Sequence, residues 1–468
     1  VVDRNELQSD KPTEDILALG ELETKLRAFG WLVEGCGGHD HAALRGVFAH
    51  FRSEHDTPKA LVARTIKGRG VSFMEHPAAL ATSGGTYPWH AGAPGDEPFE
   101  LAASELRARI EDGFAALGLD SPAYESAEEA AVAGNLEGEP ESGAGNRLVA
   151  QSHKVTDEYV VEAYGEALLE LAAGNERMLV LDADLASDCR VRAFELAYPD
   201  RFVECGIAEQ DMVSVAAGLA RHGFLPVVNS FASFLASRAN EQIYNQASEG
   251  SRVVYALHYA GLVPAGPGKS HQSIRDVSLL GALPGMAIVQ PGNAEETHAL
   301  VRWAVEDADE SVAIRLAIGP SPRRIELPPG YELSPGRGSM LREGNDAVLL
   351  AYGPVLLHEA LLAAELLADA EGVALRVVSM PWLNRFDREW LLAEVATFEN
   401  VVVVEDHSPV GGLGDALRRE LGGRAVTVFG VEGWPACGTP EEALRHHGLD
   451  GESLAGRIAA RLGVRAPS

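Results

Sequence analysis

The stretch VPAGPGKSHQSIRD, residues 263–276, holds Gly268-Lys269-Ser270 and comes within one residue of a nucleotide-binding P-loop. Such a loop needs glycine six positions before the lysine, where backbone amides curl around phosphates, and that position is Val263. His271 follows directly and places a titratable ring beside a glycine-rich turn instead. A second reactive group lies in FVECGIAEQDMVSVAAGLARHG, where Glu209 opens a helix of small residues. A first-turn carboxylate ordinarily just complements the helix dipole. Here Val213, Val215, Ala216, Ala217 and Leu219 make the helix apolar nearly all round, so burial is expected, and a buried carboxylate needs a partner or a raised pKa. After the next strand, NSFASFL sets Phe231 and Phe234 three residues apart, two rings able to flank a flat ligand, although such pairs are more often plain core.

The elements that must position these groups alternate short β-branched runs with helical patterns, the sign of parallel sheets covered by helices. Four parts follow: 1–118, a linker at 119–146, 147–330 and 331–468. In the first, Leu22, Leu26 and Phe29 share one face of a helix stopped by Gly30, and ALVARTIKG (60–68) reads as a buried strand. The linker is acidic, glycine-rich and short of apolar residues, which suits a solvated connection. The third part runs helix 157–174, strand 178–184, helix 208–221, strand 224–229, helix 232–248, strand 252–257 and strand 312–316. The fourth has strands at 346–352, 374–379 and 401–406. The expected fold class is α/β, with three doubly wound parallel-sheet domains, the first incomplete.

A formal charge of −30 over 468 residues disfavours nucleic acid, whose readers usually carry a basic patch. Four scattered cysteines without a CxxC pair indicate neither zinc nor a disulfide framework, and they suit a reducing cytoplasm. No apolar run approaches the ~18 residues of a membrane helix, so no membrane partner is expected.

In order and spacing, GIAEQ, SFASF and the loop ending SHQS resemble the pyrimidine-binding domain of the transketolase family of thiamine diphosphate enzymes. DRNELQSD, RAFGW, GHD, KGRGVSFME and WHAGAP resemble the second half of that family's diphosphate-binding domain. VSMPW and EDHSPVGGLG resemble its C-terminal domain. The resemblance implies transfer of a two-carbon ketol unit from a ketose to an aldehyde, with thiamine diphosphate and Mg²⁺ as cofactors and a dimer as the assembly. It makes Glu209 the carboxylate on the pyrimidine N1′, sharing a proton so that the neighbouring amino group becomes a base. It places Phe231 and Phe234 on the pyrimidine, Asp184 near the cofactor, and His271 and His90 at the reacting centre and substrate channel. Asn5 and the carbonyl of Leu7 become Mg²⁺ ligands, in keeping with an ion that takes few protein ligands.

The match also breaks. The family's Gly-Asp-Gly magnesium motif belongs about thirty residues ahead of Asn5, so either residues precede Val1 or another polypeptide supplies that half-domain. The family's phosphate-binding positions fall on Val161, Asp188 and Ile318, the last three residues beyond Arg315. A donor-hydroxyl aspartate falls on Pro267 and a loop histidine on Tyr259, with His258 one place off. The substrates expected from these changes are not the ordinary sugar phosphates. Alternatives are another thiamine diphosphate enzyme, such as a 2-oxo-acid dehydrogenase component or a deoxyxylulose phosphate synthase, a non-catalytic subunit of a split enzyme, and, more distantly, a P-loop NTPase.

Overall fold

The computed structural model describes residues 1–90, 94–120 and 156–464, and the chain divides into two compact units, Val1–Ala150 and Gln151–Ser468. All but the first two residues of the expected linker lie outside the described residues.

The first unit is a three-stranded parallel sheet of β1 (Val2–Arg4), β2 (Leu32–Gly37) and β3 (Lys59–Arg64), in the order β1-β3-β2. Alternation along β3 sorts its side chains: Ala60 and Val62 pack with Val33 and Leu26 on one face, Leu61 and Ala63 with Val47 and Phe51 on the other. The helix His41–Ser53 begins on Asp40, whose carboxylate accepts from the amides of Ala42 and Ala43. The helix Leu22–Ala28 does stop at Gly30, which has φ +84°. Phe29, expected to share a helix face with Leu22 and Leu26, lies past the last helical turn and is 83% exposed.

In the second unit, β4 (Met178–Asp182), β5 (Phe202–Glu204), β6 (Leu225–Phe231), β7 (Val254–His258), β8 (Met286–Val289) and β9 (Ser311–Leu316) form a parallel sheet ordered β5-β4-β6-β7-β9-β8. Its four inner strands are buried along their whole length, which is why they read as continuous apolar runs. A second sheet holds β10 (Ser339–Arg342), β11 (Ala347–Ala351), β12 (Leu375–Ser379), β13 (Val401–Val404) and β14 (Val426–Phe429), ordered β10-β12-β11-β13-β14. One strand departs from the all-parallel expectation: β10 runs antiparallel to β12 at the sheet edge, with a register shift between Met340 and Arg342. The two sheets share a core, where Trp303 meets Trp382 edge-on at 4.8 Å. Arg315, fully buried at the end of β9, donates to Asp276 at 2.7 Å and to Asp406 at 3.1 Å, tying β9 to the segment after β13. Gly261 lies so close to Asp406 that an added Cβ would stand 1.8 Å from its carboxylate.

The expected helix 232–248 is two helices, Ala232–Arg238 and Asn240–Ser248, broken at Ala239. The helix Glu209–Arg221 buries Glu209, Met212, Val213 and Ala216, while Val215 is exposed. It is therefore one-sided rather than apolar all round, because alanine and glycine contribute little apolar surface of their own.

Burial pushes the Glu405 carboxyl up to about 8, and the nearby amides of Leu413 and Gly414 offset only part of that shift. A carboxyl whose folded pKa lies above its unfolded value near 4.5 stays protonated in the fold while the unfolded chain ionises, so stability falls as pH rises from about 4.5 to about 8. Glu405→Gln keeps the shape and removes the titration. Calorimetry should find the variant clearly more stable than the parent near pH 8, by on the order of several kcal/mol, and much closer to it near pH 4.5. An identical difference at both pH values would contradict this assignment.

Candidate active site

The C-terminal ends of β6 and β7 and the loop 261–275 converge on one aromatic cluster. Phe231 ends β6 and caps the helix Ala232–Arg238, and Phe234 stands in that helix's first turn, with ring centroids 5.4 Å apart. His271 packs on both, at 5.7 Å from Phe231 and 5.3 Å from Phe234. Tyr259 completes the group, 5.3 Å from Phe231 and 6.0 Å from His271. Burial lowers the His271 pKa, against the opposing charge of Asp188, so the ring is held toward its neutral form. Its Nδ1 lies 2.9 Å from the Ser270 hydroxyl, and the Ser270 carbonyl accepts from Ser233 at 3.2 Å, which fastens the loop to the helix bearing Phe234.

No helix opens at Lys269-Ser270; the next begins at Asp276. A P-loop places its lysine at a helix N-terminus, so the loop is not one. Gly268, with φ +78°, makes the turn that brings His271 back against the rings.

Glu209, 1% exposed, is held by Arg238, whose Nη1 reaches both carboxylate oxygens at 2.6 and 2.7 Å. The same guanidinium lies over the Phe234 ring, 4.5 Å from its centroid. Glu209 is thus linked through Arg238 to the rings that carry His271. Asp184 follows β4 in a left-handed conformation, φ +60°, and its amide donates to Glu204 at 3.0 Å. Glu204 also accepts from Gly206 at 2.8 Å, so one carboxylate joins Asp184 to the turn that leads into Glu209. Burial raises the Glu204 pKa and raises that of Asp182 well above the carboxylate range.

Tyr259, not His258, faces His271. His258 turns into the core, edge-on to Tyr164 at 5.2 Å, and burial drives its pKa down to about 3. Tyr259 also has a left-handed backbone, φ +59°, and its hydroxyl is buried without a hydrogen-bond partner.

In the first unit, Asn5 lies just past β1 and its side-chain oxygen accepts from the Leu7 amide at 2.9 Å, so the two expected metal ligands share one tight turn. Lys67 donates to the carbonyls of Gln8 and Ser9 at 2.8 and 3.3 Å, and its Nζ is 2.7 Å from His90 Nδ1. His90 is thereby fixed beside the turn that follows Leu7. Among the described residues no group of three or more His, Cys, Asp or Glu could hold a metal. No described helix is long and apolar enough to cross a membrane.

Sequence reasoning missed Arg238, Glu204 and the packing of Tyr259 on His271. The need of a buried Glu209 for a partner was the one available signal for Arg238, which lies 29 residues away in sequence.

Two largely parallel sheets with an aromatic cluster at the strand ends make an α/β chain, and comparison with known proteins bears on its family. The family described as "Transketolase, pyrimidine binding domain" matches residues 159–318, and "Transketolase, C-terminal domain" matches 336–454. A chain of Methanocaldococcus jannaschii described as a transketolase C-terminal section is 32% identical over 308 residues, 64% of this chain and 94% of that one. Transketolase of Homo sapiens is 28% identical over 464 residues, 97% of this chain and 70% of its own. A 1-deoxy-D-xylulose-5-phosphate synthase of Chlorobium luteolum is 33% identical over 305 residues, 64% of this chain and 47% of its own length. A solved structure described as a split gene transketolase in an inactive beta4 tetramer is 36% identical with a TM-score of 0.58, covering 66% of this chain and 99% of that one. The chain belongs to the transketolase family.

Proposed function

We propose that this chain forms part of a thiamine diphosphate-dependent transferase that moves a two-carbon ketol unit from a ketose to an aldehyde. The observation that carries this reading is the buried Glu209 carboxylate, joined through half-exposed Arg238 to the ring of Phe234, which packs with Phe231 and His271. The residues fit the group. A flat, weakly basic ring needs aromatic walls and one carboxylate at its edge, and those are present here. The Asn5 oxygen and the Leu7 carbonyl suit Mg²⁺, which prefers hard oxygen ligands and completes its shell from phosphate and water.

When bound, thiamine diphosphate supplies a carbon nucleophile able to accept and pass on the ketol unit. Glu209 would hold the pyrimidine N1′ and move a proton there. Phe231 and Phe234 would fix the ring's plane and exclude water from it. His271, held toward neutrality by burial, can accept a hydroxyl proton at near-neutral pH or donate a hydrogen bond to the reacting oxygen. His90 would meet the substrate channel, and Lys67 orients it. Asn5 and the Leu7 carbonyl bring no carboxylate to the metal, and the charged ligand would come from a partner chain.

Calorimetry of thiamine diphosphate with Mg²⁺ tests the reading. The enzyme in its native assembly should bind both, and residues 1–468 alone at least about tenfold more weakly, because the metal lacks a charged ligand. No binding by the native assembly would sink the proposal. Equally tight binding by 1–468 alone would contradict the shared cradle.

A further inference from the structure

Arg238 satisfies, by itself, the requirements that the proposed site sets for a ligand ring. Its guanidinium is flat, lies over Phe234 at 4.5 Å, and donates to both oxygens of the buried Glu209. An aminopyrimidine resting on Phe234 with one edge on Glu209 needs the same face of the same ring and the same carboxylate. Both cannot hold these places at once, because Nη1 already takes both oxygens, at 2.6 and 2.7 Å.

The surroundings allow exchange. The Arg238 side chain is 44% exposed while Glu209 is 1% exposed, so the carboxylate is fixed and the cation has solvent to move into. Arg238 is the last residue of the helix Ala232–Arg238, where the helix breaks before Asn240–Ser248, and among the described residues Glu209 is the carboxylate it pairs with. Leaving Glu209 buried with no partner would be costly, since an uncompensated carboxylate loses its hydration and gains nothing in return. A cation that serves in the empty site and can leave to solvent meets that requirement.

We infer that Arg238 is a built-in stand-in for the cofactor's pyrimidine, a positioning residue that keeps Glu209 paired and the face of Phe234 covered until the ring displaces it. The inference rests on the thiamine diphosphate reading and deepens it: cofactor entry is an exchange of one flat hydrogen-bonding group for another on Glu209. Removing the stand-in destabilises only the empty site, so the cofactor should bind more tightly and enter faster.

The test measures thiamine diphosphate binding, with Mg²⁺, to the enzyme in its native assembly. Arg238→Ala should lower the dissociation constant by roughly tenfold, the effect of losing one charged hydrogen-bonded pair from the empty state, and should raise the association rate. Arg238→Lys, which keeps the charge but not the plane, should give a smaller gain. In a Glu209→Ala background the pair is already gone, and Arg238→Ala should change affinity little. Weaker binding by Arg238→Ala, or an effect of the same size with and without Glu209, would overturn the inference while leaving the cofactor assignment intact. Failure of the unsubstituted enzyme to bind thiamine diphosphate would instead remove the functional reading, and this inference with it.

Discussion

Glu209→Gln should leave a folded protein that has lost ketol transfer by about 10² or more, the usual scale for removing a positioned acid or base. Glutamine keeps the volume and can still accept a hydrogen bond from Arg238, so the helix Glu209–Arg221 should pack as before on β6. It cannot take up and return a proton at the pyrimidine. Circular dichroism of the variant should match the parent, while turnover, measured in the native assembly with saturating cofactor, should collapse. The pairing with Arg238 makes the result informative in a second way. A glutamine is a weaker partner for a guanidinium than a carboxylate, so the empty state loses part of its stabilisation and the cofactor should still bind. A variant that binds cofactor and does not turn over would isolate the proton-transfer role. Wild-type turnover would refute the role given to Glu209.

The parts of this site that could be read from sequence are those that repeat a local rule. Glu209 at the start of a helix, Phe231 and Phe234 at a strand-to-helix junction, and His271 after a glycine turn each follow from a few adjacent residues, and the structure brings Phe231, Phe234 and His271 into one cluster. The long buried strands β4, β6, β7 and β9 were legible for a related reason: burial on both faces leaves an unbroken apolar run. What escaped depends on distant residues. The three residues of β5 carry almost no pattern of their own, and pairing with β4 makes them a strand. The antiparallel β10 is set by its docking on β12, since its own sequence, SMLR, is compatible with either direction. Arg238 escaped because a carboxylate's need for a cation does not say which of 39 lysines and arginines will meet it. The burial of Arg315 was equally hidden, since it requires Asp276, Gln290 and Asp406, from three separate segments, to converge on one guanidinium.

The second large effect concerns substrate charge. The complete enzyme should use xylulose 5-phosphate with ribose 5-phosphate poorly and prefer unphosphorylated or otherwise modified ketoses and aldehydes. Three positions where the family resemblance expects phosphate contacts offer no cation here. Val161 is fully buried within the helix Val160–Ala172. Ile318 is apolar, and Asp188 carries the wrong sign for a phosphate. Arg315 is no substitute, because it is fully buried and already bonded to Asp276, Gln290 and Asp406. The charge of Asp188 acts on both Tyr259 and His271, so this corner carries a negative field rather than a positive one. A negative field there disfavours a substrate anion. Each lost arginine–phosphate bond forgoes roughly 1.5 to 3 kcal/mol, so these changes together should lower kcat/KM for a phosphorylated pair by orders of magnitude. Asp188→Ser removes the repulsion without adding a cation and should recover only a small part of that loss. Steady-state assays with matched phosphorylated and unphosphorylated ketoses decide the matter: efficient turnover of the phosphorylated pair with a low-micromolar KM would overturn this reading, because the residues at these positions contain nothing to bind that phosphate.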